Sequence, residues 1–256
     1  MRTGVAAGKL FDFQNKPVIV LTIDVDWAPR PCLQDTLELL ADRGVKATFF
    51  VTRGTDASLL DGHALAVHPN FAGSFSTVED YRRDLEEIIR EFPRARGLRT
   101  HALHNSYYMQ VNLRDPKLAI AYTSNYYIPM TEGLQPIFCQ SLRWELPIYF
   151  MDHLNMEMAG RVDRDNILSD LRNPGLKVMA FHPFHIYLNS QDMAHVAKAK
   201  PYYQEPDKLR QMRGNGYGIR DLFLDVLALY KAKDYTWATC EEVVASLERP
   251  AWVGAF

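Results

Sequence analysis

The segment VIVLTIDVDWAPRP, residues 18–31, ends a run of β-forming residues in Asp24 and places a second acid two positions on, at Asp26. Further along, His68, then Arg99 with His101 and His104, then Asp152 with His153, and finally His182 with His185 stand at or just past the ends of other short apolar runs. Six of the eight histidines therefore fall at the ends of candidate strands. Carboxylates mixed with imidazoles, without thiolates, suit a borderline divalent ion such as zinc, manganese, cobalt or nickel. Strand alternation would put both side chains of D-x-D on one face, so one could bind the metal while the other stays free as a base. Activating a water at a metal needs such a base, a centre that stabilises an anion, and an acid for the leaving group; Asp24, the metal and His182 can fill those roles. Each residue alone has a plainer use. A strand-end histidine is ordinarily held in a structural hydrogen bond, and two acids before Trp27-Ala28-Pro29 suit a turn. Their shared place at one rim argues for chemistry.

The elements that must position them read as alternating strands and helices. Strand candidates are 17–24, 45–52, 63–68, 97–103, 118–124, 144–150, 176–182 and 235–239. The clearest helices are LQDTLELLADRG (33–44), STVEDYRRDLEEIIREF (76–92) with a capping box of Ser76 and Glu79, GIRDLFLDVLALYKA (218–232) and CEEVVASL (240–247). Alternation of this kind predicts parallel strands with right-handed crossovers, and seven or eight units favour a (β/α) barrel over an open sheet. The carboxyl ends of such strands surround the active site. No linker or composition shift divides residues 1–256, so a single domain is expected. Residues 183–217 read as a long polar loop, of the kind that often lids a site.

Composition narrows the partners. A formal net charge of -2 with scattered charges gives no footprint for nucleic acid or an anionic membrane surface. No apolar run approaches the ~20 residues of a membrane span. The start, MRTGVAAGKLFDFQ, lacks the apolar segment of about 7–15 residues in a secretory signal, so a cytoplasmic location is expected. Three widely spaced cysteines, Cys32, Cys139 and Cys240, form neither a disulfide framework nor a metal knuckle. GNGYG at 214–218 follows no strand and is not a dinucleotide fingerprint, and no G-x-S-x-G elbow occurs.

Taken in order, these motifs are similar to the polysaccharide deacetylase superfamily, the NodB-type domain of carbohydrate esterase family 4. TIDVD stands where that family has T-F-D-D-G. KATFFVT at 46–52 matches its A-T-F-F-V, and GHALAVHPN at 62–70 the first half of G-H-E-I-G-N-H-T-x-x-H-P. Arg99 in GLRTHALHNS, VMAFHP around His182, and the tail GYGIRDLFLDVLALYKAKDYTWATCEEV extend the likeness over residues 17–248. HPNF with an R-x-H loop and FHP-x-H-x-x-LN resembles the members tied to bacterial surface-polysaccharide synthesis.

The resemblance implies a distorted or incomplete (β/α) barrel with 7 to 8 parallel strands. It also implies Asp24 as general base, Asp26 and His68 as metal ligands, Arg99 holding the base, His182 as acid, and Asp152 orienting that histidine. One position departs from it: four residues after His68, where the family has a second histidine, stands Ala72. A third ligand must then come from elsewhere, with Asn70 nearest and His101 or His104 as the other candidates. Trp27, His101, His104 and His185 are expected substrate contacts, with Tyr107 and Tyr108 as further sugar-stacking walls. The expected activity is a metal-dependent hydrolase, zinc first, removing an acyl group, N-acetyl above all, from an amino sugar or polysaccharide precursor. The alternatives are an amidohydrolase acting on a cyclic or linear non-sugar amide, and an inactive glycan-binding domain.

Overall fold

The computed structural model describes residues 11–71, 73 and 77–251. Its strands are β1 (Pro17–Asp24), β2 (Thr48–Val51), β3 (Ala64–Val67), β4 (Gly97–Leu98), β5 (Tyr122–Thr123), β6 (Ile137–Phe138), β7 (Trp144–Glu145), β8 (Ile148–Met151), β9 (Gly175–Phe181) and β10 (Thr236–Trp237). All eight residues of β1 are buried. Val18 and Val20 face an inner cluster with Phe50, Ala66, Tyr122, Val178 and Ala180. Ile19, Leu21 and Ile23 face an outer one with Leu33, Leu40, Leu85, Ile88 and Phe223 from the surrounding helices. A strand covered on both faces gains from apolar residues at every position, which is why VIVLTI does not alternate.

The sheet order is β6-β7-β5-β4-β3-β2-β1-β9-β8, with β10 also paired to β1. Pairing is parallel except between β6 and β7. β1 holds β9 along Pro17–Ile23 on one edge. On the other edge β2 pairs with Thr22–Asp24, and β10 with Val18 and Ile19 at the opposite end of the strand. The two ends of the sheet are drawn together: Tyr127 bridges Ile148 in parallel, and Ile148 N donates to Tyr126 O at 2.8 Å and Ile128 N to Ile148 O at 2.9 Å. The distorted barrel expected from the sequence is therefore present, with ten strands instead of seven or eight, five of them two residues long.

Side chains that take over ladder hydrogen bonds explain the short strands. The candidate strand 97–103 ends after Leu98 because Thr100 N donates to the Asn125 side chain at 2.8 Å and not to a neighbouring backbone. Gly97 is required where it stands, since a Cβ there would lie 2.1 Å from the Tyr122 ring.

Helix Val78–Glu91 begins with a capping box one residue later than expected, in which Thr77 Oγ1 accepts Asp80 N and Asp80 accepts Thr77 N. Ser76 lies outside the described residues, as does Ala72. The greater correction concerns 183–217. This stretch folds into helices Pro183–Leu188, Met193–Ala199 and Pro206–Gln211. Its polar composition hid Phe184, Ile186, Tyr187 and Leu188, which join the outer core. Among the described residues no helix is long and apolar enough to cross a membrane.

One core residue opposes the pattern. Lys177 on β9 is buried, its Nζ has no hydrogen-bond partner among the described residues, and it sits 4.0 Å from the centre of the Tyr149 ring. Burial pushes its amine down from 10.5 to about 8, against the pull of Asp170 and Glu132. Lys177→Met is therefore expected to raise unfolding free energy by about 1–2 kcal/mol at neutral pH, the lost charge burial outweighing the lost ring contact. The folded amine loses its proton before the unfolded one, so wild type gains stability as pH rises from about 8 towards 10.5. The gap between the two proteins should narrow over that window in urea denaturation. A destabilised variant would contradict this account.

Candidate active site

Asp24 ends β1, His68 follows β3, Arg99 follows β4, Asp152 follows β8 and His182 follows β9. Parallel pairing puts all of these at one rim. The even-numbered side of β1 faces the inside of the barrel, which directs Thr22 and Asp24 inward to Arg99. Arg99 is fully buried. Its Nη1 donates to Asp24 Oδ1 at 2.7 Å and Thr22 Oγ1 at 2.9 Å, its Nε to Ser124 O at 2.9 Å, and its Nη2 to Ser124 Oγ at 2.7 Å. The guanidinium carbon lies 4.1 Å from the centre of the Phe50 ring. Asp24 is thereby fixed through one oxygen. The other, Oδ2, stands 3.9 Å from His182 Nε2.

Asp26 reaches the rim by a turn and not by strand alternation, because β1 stops at Asp24 and Asp26 is left-handed with φ 47°. Thr52 Oγ1 donates to its carbonyl and holds that turn. Its Oδ1 is 3.1 Å from His68 Nε2 and 3.3 Å from His101 Nδ1, and its Oδ2 is 3.7 Å from His182 Nε2. Burial works against its charge, yet hydrogen bonds from His101 and His68 and the neighbouring His182 hold the carboxyl well below the usual carboxylate range.

His68 Nδ1 donates to Arg99 O at 2.8 Å, because a carbonyl can only accept. With Nδ1 committed to that carbonyl, Nε2 is the ring atom that meets Asp26 Oδ1, through its own proton or through a cation bound between them. This backbone anchor is the arrangement that fixes the tautomer of metal-binding histidines. Asp26, His68 and His101 each offer one ligand atom, all within 4.8 Å of one another. Two imidazoles and a carboxylate fit a borderline divalent ion.

The structure thus places His101 beside Asp26 and His68. Asn70, expected in that place, is solvent-exposed two residues beyond His68. His101 N donates to Pro69 O at 2.9 Å, strapping its loop to the His68 loop, and Ala102 and Leu103 turn with positive φ. That turn carries His104 to Tyr81, with Nε2 2.7 Å from the phenol oxygen, so it does not line the pocket.

Across the pocket, buried Asp152 receives His182 Nδ1 and His153 N on Oδ1 and His182 N on Oδ2, each at 2.7 Å. Although burial opposes both charges, Asp152 pushes His182 up to about 10, helped by Asp26 and Asp24. Asp152 in turn is held well below the carboxylate range despite its burial, chiefly by His182 and His185. Burial pushes His185 down to about 4.

The pocket between these groups has a volume of about 540 Å³. Trp27, His101 and His185 line it, whereas the exposed Tyr107 and Tyr108 do not. Sequence reasoning missed its apolar wall of Met151, Leu154, Phe184, Met193, Val196 and Tyr203. The available signal was the apolar spacing inside 184–203, where Phe184 stacks on Tyr203 at 4.7 Å.

A distorted parallel barrel with an Asp, Arg and His rim defines the class of fold and site. The family model for WbmS-like polysaccharide deacetylases matches residues 21–200, and the chain belongs to that family. Among solved structures it is similar to a Bordetella bronchiseptica protein described as a polysaccharide deacetylase involved in O-antigen biosynthesis. They share 26% identity and a TM-score of 0.71, over 82% of this chain and 89% of that one. A family 4 carbohydrate esterase from Streptomyces lividans, in complex with acetate, aligns at 11% identity and TM-score 0.49 over 87% and 92% of the two chains. A family 4 pseudoenzyme from Bacillus anthracis aligns at 13% and 0.48 over 90% and 66%. Comparison with curated proteins returned no match.

Proposed function

We propose that this deacetylase-family protein is a metal-dependent hydrolase that removes an acyl group, N-acetyl in the first instance, from an amino sugar or polysaccharide precursor. The observation that carries this reading is Asp24, clamped by Arg99 through one oxygen, with its other oxygen facing His182 beside the Asp26, His68 and His101 trio. A divalent cation on that trio, zinc by its donor set, would polarise the amide carbonyl and acidify a water. Asp24 Oδ2 takes a proton from the water as it adds to the carbonyl carbon. Arg99 keeps the carboxylate from turning. His182, held by Asp152, gives its Nε2 proton to the departing nitrogen, so the C–N bond breaks to a carboxylic acid and an amine. Trp27 forms the exposed side wall where a sugar ring can stack.

The apolar wall of Met151, Leu154, Phe184, Met193 and Val196 favours a second reading, an amide whose body is not a sugar. One experiment separates the readings. Protein purified without chelator is analysed for metal and assayed with added zinc, cobalt, manganese and nickel on N-acetylated amino sugars and on cyclic and linear amides. Loss of one equivalent of bound metal in Asp26→Ala, with acetate released from the sugars by the wild type, is the expected result. Turnover of the other amides alone would move the assignment to them. Absent metal and no turnover would leave a glycan-binding domain.

A further inference from the structure

A second group of donors lies on the opposite side of the His182 ring from Asp26. Nε2 of that ring faces Asp24 and Asp26, while Nδ1 faces Asp152. Asp152, His153, His182 and His185 each offer one ligand atom, and the four atoms lie within 4.8 Å of one another. They come from two short segments: the first turn of helix Asp152–Ala159, and the passage from β9 into helix Pro183–Leu188. Ring centres are 5.1 Å apart for His153 and His182, 5.6 Å for His182 and His185, and 6.3 Å for His153 and His185.

His185 Nδ1 is 2.9 Å from Ser190 Oγ, so a ring that donates there keeps its Nε2 lone pair as a ligand. The His153 side chain is 36% exposed and shares the pocket lining with His182 and His185, which gives an ion a path from solvent. Three imidazoles and one carboxylate form a zinc-type set, and none of the four belongs to the Asp26 trio.

We propose that this group is a second divalent-cation site and that filling it inhibits the enzyme. A cation seated there bonds to His182 Nδ1 and to the Asp152 carboxylate, which otherwise bond to each other. As the metal–nitrogen bond forms, the Nδ1 proton leaves to solvent and the 2.7 Å bond to Asp152 is broken. The ring is then held by the cation and no longer by the carboxylate that aims its Nε2 at the leaving nitrogen. The inhibitory half rests on the acid role given to His182 above; the binding half does not.

The test is a cobalt(II) titration of metal-free protein, followed by visible absorption and by bound cobalt per chain. Two equivalents are expected for wild type and one for Asp26→Ala. One is also expected for His153→Ala and for His185→Gln, or a second equivalent bound at least about tenfold more weakly. His153→Ala lies at the pocket surface and keeps the test valid should His185→Gln fail to fold. A single equivalent in wild type, or a second one untouched by both histidine variants, would overturn the site. A second equivalent that survives Asp26→Ala upholds it even if the catalytic reading fails. With a substrate identified, zinc should first raise and then depress the rate, and His153→Ala should weaken only the depression. A second equivalent bound without any depression would overturn the inhibitory half.

Discussion

Asp24→Asn is expected to lower kcat by about a thousandfold while leaving bound metal per chain near the wild-type value. A positioned base contributes roughly 10²- to 10⁴-fold. The geometry removes that contribution cleanly. Arg99 Nη1 donates to Oδ1, so an asparagine must turn its carbonyl oxygen to Arg99 and its NH₂ to the side where Oδ2 faces His182. An amide nitrogen cannot accept a proton from water. Asp26, which holds the trio together, is untouched. Steady-state kinetics on the substrate found by the panel, with elemental analysis of the same preparation, checks both halves. A rate within a few-fold of wild type would remove Asp24 as the base. Loss of metal would mean that it acts as a ligand instead.

The residues differ in how plainly the sequence announced them. β1 was legible because burial on both faces leaves an unbroken apolar run, and its last residue was then fixed by the polar break at Asp24. Arg99, His68 and His182 were legible for the same reason, each standing at the end of a run that pairs in parallel. Asp26 was assigned to the rim through strand alternation, yet its position depends on a left-handed turn and a bond from Thr52, twenty-six residues away. The choice among Asn70, His101 and His104 could not be made from spacing. It depends on two residues with positive φ and on a backbone bond to Pro69, neither of which has a signature in THALHN. Residues 183–217 were misread because their helices are only six or seven residues long, too short for periodicity to rise above the surrounding polar residues. β6, two residues long, lies below what any pattern can register, whereas β10 falls inside the candidate strand 235–239.

Arg99→Met should cost about 3–5 kcal/mol of stability, the largest effect expected outside the catalytic rate. Methionine fills much of the space over Phe50 and supplies none of the four hydrogen bonds. Asp24 is then buried without its cation, and Ser124 and Thr22 lose the donors they faced. Removing one partner of a buried pair is what makes such sites costly, whereas removing both is often far milder. The Arg99→Met, Asp24→Leu double variant should therefore be less destabilised than Arg99→Met alone, although it carries one more substitution. Arg99→Lys should fall between, since one ammonium can reach Asp24 but cannot span to Ser124 as the planar fork does. Urea denaturation of wild type, Arg99→Met, Asp24→Leu and the double variant at one pH gives the cycle, and neighbouring sites of this kind couple by about 0.5–3 kcal/mol. A loss under 1 kcal/mol in Arg99→Met, or strict additivity in the double variant, would show that the ion pair does not hold the rim together. Asp24 would then owe its orientation to Thr22 and the barrel wall rather than to the guanidinium.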